Sequence, residues 1–188
     1  SGGDESHQIS LQTSKKFGEI FKMISKTPQI TVSVVEGAAM AGAFGIACAS
    51  DLLVSMSDAK YALTETKIGL TPAQITPYVL NRLGFANARK MLLLGNIING
   101  QEAYEMGMVD YLVNNESEIN DIILKIKNQV QKCAPNAIAI TKEILSNNNL
   151  VNPENAAELF SSSIISEEGQ EGLASFFEKR KPFWAREE

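Results

Sequence analysis

Residues 35–45 constrain this chain more than any other stretch: Val35-Glu36-Gly37-Ala38-Ala39-Met40-Ala41-Gly42-Ala43-Phe44-Gly45. They follow the β-branched run 29–35, which reads as a buried strand. Glu36-Gly37 reads as a turn, and the small residues of 42–50 as a helix. A strand end, a glycine turn and a helix start aim free backbone N–H groups and the positive end of a helix dipole at one point. Glycine at such a turn lets a ligand approach the backbone. The point suits an anion, including one that develops only during a reaction. Close packing of a small-residue helix on a sheet accounts for the same composition. The segment holds neither GxGxxG nor the Gly-Lys-Ser/Thr ending of a Walker A loop.

The chain alternates strands and helices at the front and is helical at the back. Phe17, Ile20, Phe21 and Ile24 recur at three and four, predicting a helix over 11–26 that Thr27-Pro28 ends. Short strands are expected at 52–55 and 60–63, then a loop over 64–70. Thr71-Pro72-Ala73-Gln74 has the form of a helix start running to Leu83 and Gly84, with a second helix over 86–94. A short helix at 102–106 and a strand at 109–113 follow. Asn115 with Glu118 is a capping signal before the stripe Ile119, Ile122, Ile123, Ile126 and Val130. Pro135, Asn152-Pro153 and residues 168–180 mark three further helices. The expected organisation is an α/β core over 1–114 and a helical region over 115–188.

Composition excludes several classes. With 17 Lys plus Arg against 22 Asp plus Glu, the net charge of −5 argues against nucleic acid as the main partner. The most apolar stretch, 37–50, is too short to span a bilayer, so no membrane is expected. Cys48 and Cys133 give neither a disulfide framework nor a zinc site, and the one histidine is His7. No metal site is expected, and the location expected is cytoplasmic. The opening Ser1-Gly2-Gly3-Asp4 reads as the inside of a loop, so the chain reads as a fragment lacking its front.

Glu65 sits in Thr64-Glu65-Thr66-Lys67-Ile68-Gly69-Leu70-Thr71-Pro72, between an apolar strand and a helix start. A carboxyl group held against apolar walls can hold or donate a proton. A surface glutamate paired with Lys67 is the plain alternative. The basic tail Lys179-Arg180-Lys181 reads as a solvated helix end or as a phosphate clamp.

Residues 37–51, with 61–72 behind them, resemble the crotonase superfamily, the enoyl-CoA hydratases and isomerases. Arg82-Leu83-Gly84, Leu92-Leu93-Leu94-Gly95, Glu102-Ala103, Gly107-Met108-Val109, Glu171-Gly172 and residues 177–181 continue the pattern in order. The wording around Glu65, with Ile75-Thr76-Pro77-Tyr78-Val79 behind it, is most similar to bacterial methylglutaconyl-CoA hydratases. The resemblance implies a ClpP/crotonase-like spiral of ββα units with a helical C-terminal trimerisation region. It implies an acyl-CoA substrate, no cofactor, and a homotrimer or dimer of trimers. The apolar positions Ile138, Ile144, Leu145, Leu159 and Phe160 offer surface for assembly or for packing within the monomer. It puts an oxyanion hole on the N–H groups of Gly42 and Gly3 and makes Glu65 the general acid/base. Phe160 and Lys179 fall where a neighbouring subunit contributes to the coenzyme A site in that family, with Lys179 facing a phosphate. The family's first hydratase glutamate falls on Gly45. Hydration of an enoyl-CoA by one carboxylate is the expected reaction; Δ3,Δ2-enoyl-CoA isomerisation and an inactive acyl-CoA-binding module are the alternatives.

Overall fold

Thr27-Pro28 closes a first helix, α1 (Gly2–Lys26), and the β-branched run behind it forms β1 (Val32–Val35). The computed structural model describes residues 2–146 and 152–185. β1 pairs in parallel with β3 (Leu52–Met56), Val32 opposite Leu52 and Val35 opposite Ser55. β3 pairs in parallel with β6 (Tyr111–Val113), giving the order β1-β3-β6. A second sheet runs β2 (Ala38–Met40), β4 (Lys60–Ala62), β5 (Ile97–Asn99), parallel and then antiparallel. The chain therefore lays one strand in each sheet and then a helix. It does so through β1, β2 and α2 (Gly42–Ala49), and again through β3, β4 and α3 (Thr76–Leu94). This is the spiral of ββα units that the resemblance implies.

Several bounds differ from the sequence reading. The sequence pattern assigns no element to residues 38–40 or 97–99, because a three-residue strand carries no alternation and is made by its partner. α1 starts at Gly2 rather than at 11: Asp4 and Glu5 favour a first turn that no apolar spacing marks. The helix expected to start at Thr71 starts at Thr76, whose N–H and hydroxyl donate to the Pro72 carbonyl at 3.2 and 2.8 Å. The break expected at Gly84 is present, with φ 66° and ψ 166° inside α3. β6 starts at Tyr111 rather than at 109. α4 (Gly100–Glu105) starts on a capping box of Asn99 and Glu102 that the sequence reading passed over.

The described residues gather into two units. One holds the residues up to Ser25 with Thr31–Ile122; the other holds Lys26–Ile30 with the described residues from Ile123 onward. In the first, Phe44, Leu53, Leu63 and Val79 are fully buried. The buried Tyr61 hydroxyl donates to Ser55 Oγ at 2.7 Å, and Ser55 donates to the Met56 carbonyl. Burial pushes the Tyr61 phenol and the Cys48 thiol each up to about 12. Arg82 meets the Asp110 carboxylate at 3.3 Å, and that carboxylate also accepts the Leu53 N–H at 2.7 Å.

α5 (Glu116–Val130) crosses from the first unit into the second, starting on the Asn115–Glu118 cap that the sequence signals. The second unit adds α6 (Pro135–Ser146), α7 (Pro153–Ile165) and α8 (Glu167–Glu178). The Asn152 and Ser166 side chains cap α7 and α8. Buried Lys142 donates to the Gln29 carbonyl at 2.6 Å.

Candidate active site

The turn from β2 into α2 is strained. Ala41, the residue before the helix, has φ 48° and ψ −117°, a region that side-chain-bearing residues seldom enter. Its N–H donates to the Ala62 carbonyl at 3.1 Å, and its carbonyl accepts the first helical bond, from Gly45. The N–H groups of Gly42, Ala43 and Phe44 have no intrahelical acceptor, and no side chain caps them. Backbone donors and the positive helix end thus converge on Gly42, which is half-buried. β1, β2 and α2 bound a cleft of about 220 Å³ lined by Val35, Ala38, Ala43 and Ala47 among others.

The bond from Ala41 ties this helix start to the strand leading to Glu65. Ala62 is the last residue of β4, opposite Met40. Glu65 follows three residues later, at most about 11 Å of chain, and opens a 3₁₀ turn over Glu65–Ile68. The turn is pinned at several points. Its carbonyl at Glu65 accepts the Leu70 N–H at 2.9 Å, Gly69 closes it with φ 76°, and the Thr66 hydroxyl donates to Leu93. The Lys67 stem packs beside Gly95, and no ion pair joins Lys67 to Glu65.

Glu65 Oε2 is buried and has no hydrogen-bond partner. Among the described residues only Arg82 Nε and Nη2 share that condition, and the Arg82 charge is met by Asp110 and the Asp51 carbonyl. A buried carboxylate oxygen without a donor is a free-energy cost that folding does not explain.

Gly3 does not join this arrangement. It lies in the first turn of α1, and the expected loop is a helix start. Phe17 of the same helix touches Gly42: a Cβ on Gly42 would lie 3.4 Å from the Phe17 ring. Gly3 precedes Phe17 by fourteen residues, about 21 Å along a helix axis, a span a phenylalanine side chain does not bridge. The structure thus does not bring the Gly3 amide, the expected second donor, to Gly42.

Phe160 and Lys179 belong to the second unit. Phe160 is exposed on α7, and Lys179 ends α8 in a left-handed conformation, φ 55°. The basic tail is not three equivalent cations. Arg180 forks onto Glu171, with Nη2 at 2.7 Å from Oε2, and its Nε meets Glu178 at 2.6 Å. The Arg180 guanidinium holds the Glu171 carboxyl below its ordinary value. As a clamp for a phosphate, Arg180 is already engaged.

Gly45 lies one turn beyond Gly42 on the same face of α2. A Cβ there would meet Ile75 Cγ2 at 2.5 Å and two Phe21 ring atoms at 2.8 Å. The space where the resemblance would put a first carboxylate is filled by two buried apolar side chains. The sequence pattern places Ala41 in the turn and Ile75 behind Glu65, but it does not show that Phe21 and Ile75 pack against Gly45, because those contacts are non-local.

The alternation of the two sheets and the helix start between them define a crotonase-fold protein. Solved structures that share it include an enoyl-CoA hydratase/isomerase from Marinobacter aquaeolei (TM-score 0.86, 36% identity, 92% of this chain and 67% of that one) and the Pseudomonas aeruginosa protein AtuE (TM-score 0.91, 33% identity, 98% and 74%). The sequence profile of the enoyl-CoA hydratase/isomerase family matches residues 2–187, and the chain belongs to that family. Among curated relatives, the methylmalonyl-CoA decarboxylase of Escherichia coli K12 is 30% identical over 171 residues, 87% of this chain and 65% of the relative. The chain spans about two thirds of the length of these proteins.

Proposed function

We propose that the protein is an enoyl-CoA hydratase that works through a thioester enolate with a single carboxylate. The reading rests on one observation above all: a buried, partnerless Glu65 oxygen on the turn three residues beyond the strand that is bonded to the start of α2. The Gly42 N–H, backed by the helix dipole, holds the thioester oxygen as negative charge builds on it. One such donor is worth about 3 to 4 kcal/mol in the transition state. Glu65 takes a proton from water as the water oxygen attacks Cβ, then delivers that proton to Cα and is regenerated. Proton transfer of this kind contributes roughly 10² to 10⁴ in rate. The reaction needs no cofactor beyond the coenzyme A that carries the acyl group.

Gly45 favours a second reading, double-bond migration. There Glu65 removes a proton from Cα of a β,γ-unsaturated thioester and returns it to Cγ, with no water consumed. Phe160 and Lys179 are proposed as contacts to the coenzyme A moiety bound by a neighbouring copy of the chain, with Lys179 at a phosphate. Leu145, Phe160 and Ile165 are 68%, 70% and 74% exposed, apolar area that suits a trimer of this chain.

The test is the absorbance of the conjugated thioester with Glu65→Gln beside the parent. Loss of absorbance on an α,β-enoyl-CoA supports hydration; a gain on a β,γ-enoyl-CoA supports migration. Parent activity in Glu65→Gln overturns both.

A further inference from the structure

We infer that Phe17 is a specificity-determining residue, and that the acyl group taken is an uncharged hydrocarbon rather than one carrying a second carboxylate. The inference rests on the proposed function, in which the Gly42 N–H donates to the thioester oxygen.

The Phe17 ring stands where Gly42 would carry a side chain, its Cε1 and Cδ1 at 3.4 and 3.8 Å from a Cβ built there. The Gly42 nitrogen is one bond from the same Cα. A carbonyl oxygen held about 2.9 Å from that nitrogen therefore has its substituents beside the ring. The ring is also open to them. Phe17 is 46% exposed, while Phe21, one turn further on and stacked with it at 6.3 Å between centroids, is 1% exposed. Phe21 is anchored in turn by Tyr78, at 5.6 Å between centroids. Phe17 is thus backed by the core and uncovered in front. Its surroundings on α1 carry no charge. Residues three and four positions away share its side of the helix, and these are Thr13, Ser14, Ile20 and Phe21. Lys15, Lys16 and Glu19 stand one or two positions away, off that stripe. A hydrocarbon group laid on the stripe gains by leaving water. A carboxylate laid there loses its water and meets no cation among these residues, so its burial is penalised.

The experiment compares two five-carbon thioesters on one preparation of the full protein. Pent-2-enoyl-CoA ends in a methyl group and glutaconyl-CoA in a carboxylate. Their ratio of kcat/KM does not depend on how much of the preparation is folded. The parent is expected to favour pent-2-enoyl-CoA by at least about tenfold, the scale of one misfitted group in an apolar pocket. Phe17→Lys is expected to lower that ratio by at least about tenfold. Met23→Ala, at a 66% exposed position of α1 off the stripe, is expected to leave it unchanged. A parent that favours glutaconyl-CoA, a folded Phe17→Lys with the parent's ratio, or an equal change in Met23→Ala overturns the inference. If Phe17→Lys does not fold, Phe17→Ala decides. It should slow pent-2-enoyl-CoA more than glutaconyl-CoA, and an equal fall overturns the inference. If neither thioester is turned over, calorimetric Kd values for pentanoyl-CoA and glutaryl-CoA supply the ratio, and binding of neither overturns it. Glu65→Gln separates the two readings. Parental turnover in that variant overturns the proposed function, whereas the ratio in the Phe17 variants judges this inference alone.

Discussion

Glu65 and Glu171 are both glutamates, set in opposite circumstances. Glu171, on α8, is half-buried. It accepts two bonds from Arg180 and one from the Phe183 N–H at 3.0 Å. Glu65, on the turn after β4, has a covered oxygen that accepts nothing. The first carboxylate completes a fold; the second is left incomplete by it. Charge satisfied within the chain stabilises, and charge left unsatisfied at a pinned turn is available for chemistry.

Opposite responses to the same substitution sharpen this contrast. Glu65→Gln is expected to lower turnover of enoyl-CoA substrates by roughly 10² to 10⁴, with Tm within a degree or two of the parent. Glu171→Gln is expected to leave turnover unchanged and lower Tm slightly. Thermal melts and thioester absorbance on the same preparations check both. A fall in turnover only in Glu171→Gln breaks the comparison.

The next effect is in thiol labelling. Burial pushes the Cys48 thiol up to about 12, while Cys133 is exposed. An aromatic disulfide reagent is expected to titrate one thiol in the native protein, and two in denaturant. Two native thiols would contradict the packing of α2.

Ala41→Gly relieves a positive φ and is expected to stabilise by about 1 kcal/mol after the greater chain entropy of glycine is offset. Chemical denaturation measures it; a loss would show that Ala41 is not strained.

The smallest effect is with pH. The Glu171 carboxyl is held below its ordinary 4.5, chiefly by its bond to Arg180. Its stabilisation is fully present above that value and is lost as pH falls through the lower folded one. Acid denaturation of Arg180→Ala should show less of this slope than the parent, by a small margin because the pair is exposed.

Much of the arrangement was legible in the residues. The helix at Gly42, the breaks at Gly84 and Gly95, and the caps at Asn115 and Asn152 are local, set by turn chemistry within a few positions. The motif at 61–72 placed Glu65 on its turn. What could not be read is non-local. The strands β2 and β5 exist through their partner β4. The missing hydrogen bond at Glu65 Oε2 is a property of its surroundings, not of its neighbours in sequence. The loop expected around Gly3 is a helix start, because Asp4 and Glu5 favour a first turn that the glycines do not announce.

Exchange of the Cα proton of a saturated acyl-CoA with deuterium from solvent isolates proton transfer at the thioester from any choice between water addition and double-bond migration. The expected result is incorporation by the parent protein and background incorporation by Glu65→Gln. Equal incorporation by the two would remove Glu65 from the chemistry.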